Sequence, residues 1–254
     1  MNLVIDVGNT VTKAGLFDGE KMVLKGTFST FSFREPDEWG IMLVNWLKVS
    51  SRKGCVEKVV VCSVVQNALS AIKKAIPRYF KISPVEFKAT LVEVPILCDN
   101  PQEVGADRIA NVLAVRKMYQ MPAVVVDFGT ATTFDVVSEE GAYIGGVIAP
   151  GIRGAAESLW EKAEKLFPVE IKKPSRVIGK NTAENLTSGI FYTFVGMVRE
   201  IVERIEKEIG REVYVVATGG FGRIIGSECE KVKTVNPDLT LQGLNFFALE
   251  YKNS

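Results

Sequence analysis

The apolar positions of this chain change period several times, and each change marks an element. Residues 2 to 7, NLVIDV, form a short and nearly continuous apolar run that predicts a buried strand. TKAGLF and KMVLKGTF follow, with turn residues between them, and predict an antiparallel opening meander. The period then lengthens. Trp39, Met42, Leu43, Trp46 and Leu47 recur at helical spacing from about Glu35 to Ser51, KVVVCSV returns to a strand, and Leu69, Ile72 and Ile76 mark a second helix. Pro95 and Pro101 bracket a loop ahead of a helix that carries Ile109, Val112 and Leu113.

At PAVVVDFGTATTFDVV the pattern begins again. Aligning VIDVGNTVTKAGLFDGE with VVDFGTATTFDVVSEEG places Asp6 on Asp127 and Gly8 on Gly129 at one common offset, near half the chain length. In both copies the acidic residue ends an apolar strand. The second copy continues with AYIGGVIAP, a helix over 152–166, a basic loop, a long helix from about Ala183 to Ile209, the strand REVYVVAT and a helix over 240–251. This order predicts an α/β protein made by duplication, with halves at 1–119 and 120–254 bent around a cleft that the two hairpins face.

Composition narrows the chemistry. With 254 residues, 47% of them apolar, the chain can fill one large core or two ordinary ones. Its 31 basic and 30 acidic residues leave a net charge of +1, without the positive field that nucleic-acid binding leaves on a domain, so nucleic acid is not an expected partner. The first residues show neither a basic n-region nor an apolar stretch long enough for a signal or membrane segment, which predicts a cytoplasmic protein with no membrane partner. Cys55, Cys62, Cys98 and Cys229 form no CxxC pair and there is no histidine, so free thiols are expected and the usual zinc constellations cannot be written. Ser-His-Asp and Cys-His catalysis are excluded on the same count. Carboxylates, lysines, arginines, hydroxyls and backbone amides remain.

A carboxylate at a strand end, followed by a tight hairpin of Gly, Asn and Thr, sets a metal-seeking oxygen beside backbone N–H groups and hydroxyls, a combination suited to phosphate and Mg²⁺. Asp6, Gly8, Asn9, Thr10 and Lys13 supply it in the first half, and Asp127, Gly129, Thr130, Thr132 and Thr133 in the second. One such string also serves as a plain turn, but its recurrence at equivalent places favours phosphate binding. Gly219 and Gly220, with Gly222 behind them, end the strand VYVVAT and would let backbone approach a flat ligand, here assigned to the adenosine side of a nucleotide. No GxxxxGK[ST] string exists, and GGFGRIIG lacks GxGxxG spacing.

Other positions stay open between structure and chemistry. Asp107, in the first turn of its helix, either complements the helix dipole or does catalysis. Thr182 or Asn181 caps the long helix. Gly145, Gly146 and Gly151 either line a pocket or permit a close strand-to-helix crossing. Lys172 and Lys173 fit a solvated loop better than a ligand clamp, and the apolar stripe of the long helix fits core or a dimer seam.

DVGNT at 6–10, EVGADR at 103–108, DFGTATT at 127–133, GGVIAPG at 145–151, NTAENLTSG at 181–189, ATGG at 217–220 and NPDLTLQGL at 236–244 occur in order across nearly the whole chain. Together they resemble a type III pantothenate kinase. The resemblance implies duplicated ribonuclease H-like halves of the actin, sugar-kinase and Hsp70 type around a nucleotide cleft. It implies ATP-dependent phosphorylation of pantothenate to 4'-phosphopantothenate, the first step of coenzyme A biosynthesis, with Mg²⁺, a monovalent cation (K⁺ or NH₄⁺) and a homodimer. Carried over by motif, Asp6, Val7, Gly8, Asn9, Thr10, Val11, Thr12 and Lys13 would hold the ATP phosphates, with Asp6 toward Mg²⁺ directly or through water. Thr130 would contact ATP, with Gly219 and Gly220 on its adenosine side. Gly105, Ala106, Asp107, Arg108 and Thr182 would line the pantothenate site, Asp107 would be the catalytic base, and Asp127 would bind the monovalent cation. Cys98 departs from the pattern, which has Tyr at that place. Two alternatives are another small-molecule kinase of the same fold, such as a sugar kinase, and a regulator similar to the Bvg accessory factors.

Overall fold

The computed structural model describes residues 1–30, 34–49, 56–163 and 165–251. Cys55 and the expected end of the first helix at Ser50 and Ser51 lie outside them. The chain divides into two compact units, Met1–Lys117 with Leu239–Ser254, and Met118–Asp238.

The first unit is built on strands β1 (Asn2–Val7), β2 (Val11–Asp18), β3 (Lys21–Ser29), β4 (Lys58–Ser63) and β5 (Val85–Glu86), in the order β3-β2-β1-β4-β5. β1 runs antiparallel to β2 and parallel to β4. Leu3, Ile5, Val7, Ala14, Leu16, Val59 and Val61 turn one face toward Trp39, Leu43 and Leu47 of α1 (Pro36–Val49) and Ala68, Ile72 and Ile76 of α2 (Gln66–Phe80). The other face of β1 and β4 receives α6 (Leu239–Glu250). A strand covered on both faces has no polar side to present, which is why NLVIDV reads as a continuous apolar run.

The second unit contains β6 (Ala123–Phe128), β7 (Ala131–Val137), β8 (Tyr143–Pro150), β9 (Tyr214–Gly219) and β10 (Val232–Val235), ordered β10-β9-β6-β7-β8. Read from its other end this is the order of the first sheet, with β6 in the place of β1 and β9 in the place of β4. The duplication inferred from Asp6 and Asp127 is therefore a duplication of topology. Val124, Val126, Phe128, Phe134, Val215 and Ala217 pack on Ile152 and Ala156 of α4 (Ile152–Lys162) and on Ile190, Phe194, Val198 and Val202 of α5 (Thr182–Ile209), so the apolar stripe of the long helix is core of its own unit. β5 and β10, two and four residues long, are too short to show a period and were not expected.

The last helix differs most from the sequence reading, which gave it to the second half. It packs on the first unit's sheet. Leu239, Leu241, Leu244, Phe247 and Ala248 are buried, and at Gly243 a Cβ would stand 1.9 Å from the carbonyl oxygen of Ala110 in α3 (Ala106–Met118). Polar ties fix it: Thr240 Oγ1 donates to Asn111 Oδ1 at 2.8 Å, Asn2 Nδ2 to Asn245 Oδ1 at 3.1 Å, and Asn245 Nδ2 to the Gly19 carbonyl at 2.9 Å. Lys58 Nζ caps its C-terminal end through the carbonyls of Ala248 and Tyr251, at 2.6 and 2.7 Å. Burial of a helix apolar on most sides explains the placement, because only a sheet face left open could accept it. Among the described residues no helix is long and apolar enough to cross a membrane.

Candidate active site

Each hairpin grows from the alternation of its strands. On β1, Asp6 stands in register with Lys13 on β2 and Cys62 on β4. Register partners share a face of the sheet, so Lys13, Asp6 and Cys62 form one row across three strands. Their neighbours Val7 and Thr12 turn the opposite way. Val7 is fully buried, and buried Thr12 shares a 2.8 Å hydrogen bond with the Thr30 hydroxyl, so only the backbone of these two can serve a nucleotide. Gly8 N–H closes the hairpin on the Val11 carbonyl at 3.1 Å, leaving Asn9 and Thr10 as its exposed tip.

Asp107 belongs to the same unit. It sits half-buried in the first turn of α3, where its Oδ1 accepts from Arg108 N at 2.9 Å. A Cβ on Gly105 would lie 2.5 Å from that oxygen, so the glycine leaves the room in which the carboxylate lies. Cys62, in register with Asp6, is influenced by both carboxylates. Burial pushes its thiol well above the ordinary range, and the negative charges of Asp6 and then Asp107 push it further, which places both carboxylates within electrostatic reach of one sulfur. Sequence reading did not connect Cys62 with Asp6; only strand register could.

In the second unit the corresponding row is Thr133 on β7, Asp127 on β6 and Thr218 on β9. The hairpin is one residue shorter, with only 129 and 130 between its strands, and Gly129 N–H closes it on the Ala131 carbonyl at 3.0 Å. Thr132 faces the core and donates to the Pro150 carbonyl at 3.1 Å, which separates its role from that of Thr133 next to it. Gly151 is a close-packing glycine: a Cβ there would meet the Thr130 carbonyl oxygen at 2.0 Å. Gly219 has φ +85°, and its Cβ would lie 2.5 Å from both Asp127 Oδ1 and the Phe128 carbonyl oxygen. It is thus the base on which the Asp127 carboxylate rests, and Gly220 N–H donates to Phe128 O at 3.0 Å.

Asn181, not Thr182, is the N-cap of α5. Its Oδ1 accepts from Glu184 N at 2.9 Å while Glu184 Oε2 accepts from Lys180 N at 2.9 Å, a reciprocal capping arrangement that leaves exposed Thr182 in the first turn for other work. Lys172 pairs with Glu170 and Lys173 with Glu228, both at 2.6 Å and largely exposed, as a solvated loop would. Among the described residues no three His, Cys, Asp or Glu side chains gather into a metal cage. A Mg²⁺ ion bound through one carboxylate and substrate phosphates needs no such cage, and Asp6 beside an exposed hairpin tip fits that mode.

Comparison with known proteins agrees with this architecture. The sequence profile described as type III pantothenate kinase matches residues 2–204. Proteins named type III pantothenate kinase from Agathobacter rectalis and Syntrophotalea carbinolica are 41% and 42% identical to this chain. These alignments cover 96% of this chain and 95% of the first relative, and 99% of this chain and 100% of the second. Among solved structures, the ROK hexokinase of Thermus thermophilus matches with a TM-score of 0.54 at 14% identity, covering 98% of this chain and 99% of that one. The activator of the 2-hydroxyisocaproyl-CoA dehydratase from Clostridium difficile, with bound ADPNP, matches with a TM-score of 0.52 at 14% identity, covering 100% and 98%. These likenesses show the fold, that of the actin, sugar-kinase and Hsp70 group.

Proposed function

Because the chain belongs to the type III pantothenate kinase family, we propose that it transfers the terminal phosphoryl group of ATP to the primary hydroxyl of pantothenate, the first step of coenzyme A biosynthesis. The observation that supports this reading is the row of Lys13, Asp6 and Cys62 at the strand ends of the first sheet, with Asp107 of the same unit near enough for its charge to act on the Cys62 thiol, since the reaction requires both a phosphate-holding hairpin and a proton acceptor. Phosphoryl transfer asks mainly for positioning and charge neutralisation.

The hairpin from Asp6 to Lys13 holds the phosphates, through the exposed tip at Asn9 and Thr10 and the Lys13 ammonium. Thr130 and the backbone at Gly219 and Gly220 serve the nucleotide in the second unit. Asp107 orients the pantothenate hydroxyl and accepts its proton. Gly105 and Ala106 border the substrate, Thr182 offers a hydroxyl, and the planar fork of Arg108 fits the substrate carboxylate. When bound, Mg²⁺ at Asp6 and K⁺ or NH₄⁺ at Asp127 neutralise phosphate charge. We place the protein in the cytoplasm as a homodimer; the outer strand β8, with Ile148 67% exposed, supports an apolar edge available to a second copy.

ATP consumption measured with pantothenate and with a panel of sugars, in K⁺, NH₄⁺ and Na⁺ at equal ionic strength, tests the reading. Turnover should require pantothenate and Mg²⁺ and rise in K⁺ or NH₄⁺; consumption driven by a sugar instead would replace the substrate assignment. Half-buried Cys98 supplies neither ring face nor phenol donor. Cys98→Tyr should therefore change the pantothenate KM more than the ATP KM, and equal KM values in both forms would show that another residue fills that place.

A further inference from the structure

The motif NPDLTLQGL at 236–244 supplies none of the hairpin or substrate residues. Its second half nevertheless forms the first turns of α6 and packs on α3, the helix that carries Asp107 in its first turn. We propose that Thr240, acting through Asn111, is a positioning residue for phosphoryl transfer: it fixes the register of α3 against α6, and with it the place of the Asp107 carboxylate. The inference rests on the reading of Asp107 as the base and adds the residues that hold it.

Asn111 interrupts a run of buried apolar residues over 109–115 of α3. An apolar side chain there would pack at least as well, because a buried polar pair adds little net stability. What it adds is direction. Apolar contact depends on buried area and tolerates a small slide or rotation of one helix on another. The Thr240 hydroxyl, by contrast, donates to Asn111 Oδ1 at 2.8 Å with Thr240 5% and Asn111 1% exposed, and any such shift would break a bond that water cannot replace. Gly243 sets the separation: a Cβ there would stand 1.9 Å from the Ala110 carbonyl oxygen. Distance and register are thus both fixed at two adjacent residues of α3.

Asn111 lies one turn beyond Asp107. In an α-helix the N–H of the later residue of such a pair donates to the carbonyl of the earlier one, and their side chains lie on one face. A displacement at Asn111 therefore reaches Asp107 through a single backbone hydrogen bond. The carboxylate is tied to the same helix, its Oδ1 accepting from Arg108 N at 2.9 Å, so it moves with α3. A base must lie within hydrogen-bond reach of the hydroxyl that it serves, and a misplacement of about 1 Å can cost about 10²-fold in rate.

The test measures kcat, both KM values and the melting temperature of the full chain with ATP and pantothenate. Thr240→Val and Thr240→Ala, which remove the hydroxyl at two different volumes, should each lower kcat about tenfold and leave the ATP KM unchanged. Thr240→Ser keeps the donor and should retain most of the wild-type rate. Asn245→Ala is the control for a loosened α6, since it severs the ties to Asn2 and Gly19, and it should lower the melting temperature with kcat unchanged. The sharper comparison is a double variant. In an Asp107→Asn chain, Thr240→Val should cost no further turnover, because its effect runs through the carboxylate already removed. Wild-type kcat in both hydroxyl-free variants, a Thr240→Ser chain as slow as the Val form, an equal loss in Asn245→Ala, or the full tenfold loss repeated on top of Asp107→Asn would each overturn the inference. Wild-type turnover by Asp107→Asn alone would instead remove the base on which it rests.

Discussion

Asp107→Asn should fold, bind ATP and turn over about 10²- to 10⁴-fold more slowly than the wild type, the usual contribution of a positioned general base. The substitution keeps size and hydrogen bonding, including the acceptor that Arg108 N reaches at 2.9 Å, so little else changes. The loss should fall on kcat, with the ATP KM nearly unchanged. A residue that merely complements the helix dipole gives another result, a stability loss of about 0.3–1 kcal/mol with chemistry intact. Melting temperature, ATP affinity and kcat of this one variant separate the two, and a stable mutant with wild-type kcat would remove Asp107 from the mechanism. No histidine competes for the role, since the chain has none.

Gly243→Ala should lower the urea midpoint by an amount corresponding to about 1–3 kcal/mol, the range for overpacking a close contact. The new methyl would stand 1.9 Å from the Ala110 carbonyl oxygen, which is backbone and cannot swing aside, so α6 and α3 must separate. Gly196→Ala in α5 is the control, because its Cβ meets nothing within 4 Å. There the same change should stabilise by about 0.5–1 kcal/mol through helix propensity alone. Ala110 lies one turn beyond Asp107 on α3, so the Gly243 variant should also lose kcat while Gly196→Ala keeps it. Equal midpoints for Gly243→Ala and wild type would mean that this helix contact yields without cost.

The sequence by itself determined the strands of both meanders, the long helices and the repeated hairpin with its leading carboxylate. These depend on period and turn chemistry within a few residues, where NLVIDV and AVVVDF show the same pattern. It also supplied the ordered motifs that point to the family. Tertiary structure alone decided which of two adjacent threonines faces the core, because Thr132 and Thr133 look alike in a string and alternation separates them only once register is set. It decided that Asn181 rather than Thr182 caps α5, which turns on backbone angles at a single residue. It joined Cys62 to Asp6 and Thr218 to Asp127, partners on adjacent strands but remote in sequence. It also carried the last helix back onto the first sheet, where Gly243 meets Ala110 and Asn245 meets Asn2. Local pattern fixes what an element is, whereas which open face it covers is settled by burying apolar area against distant partners, and no window along the chain contains both sides of that contact.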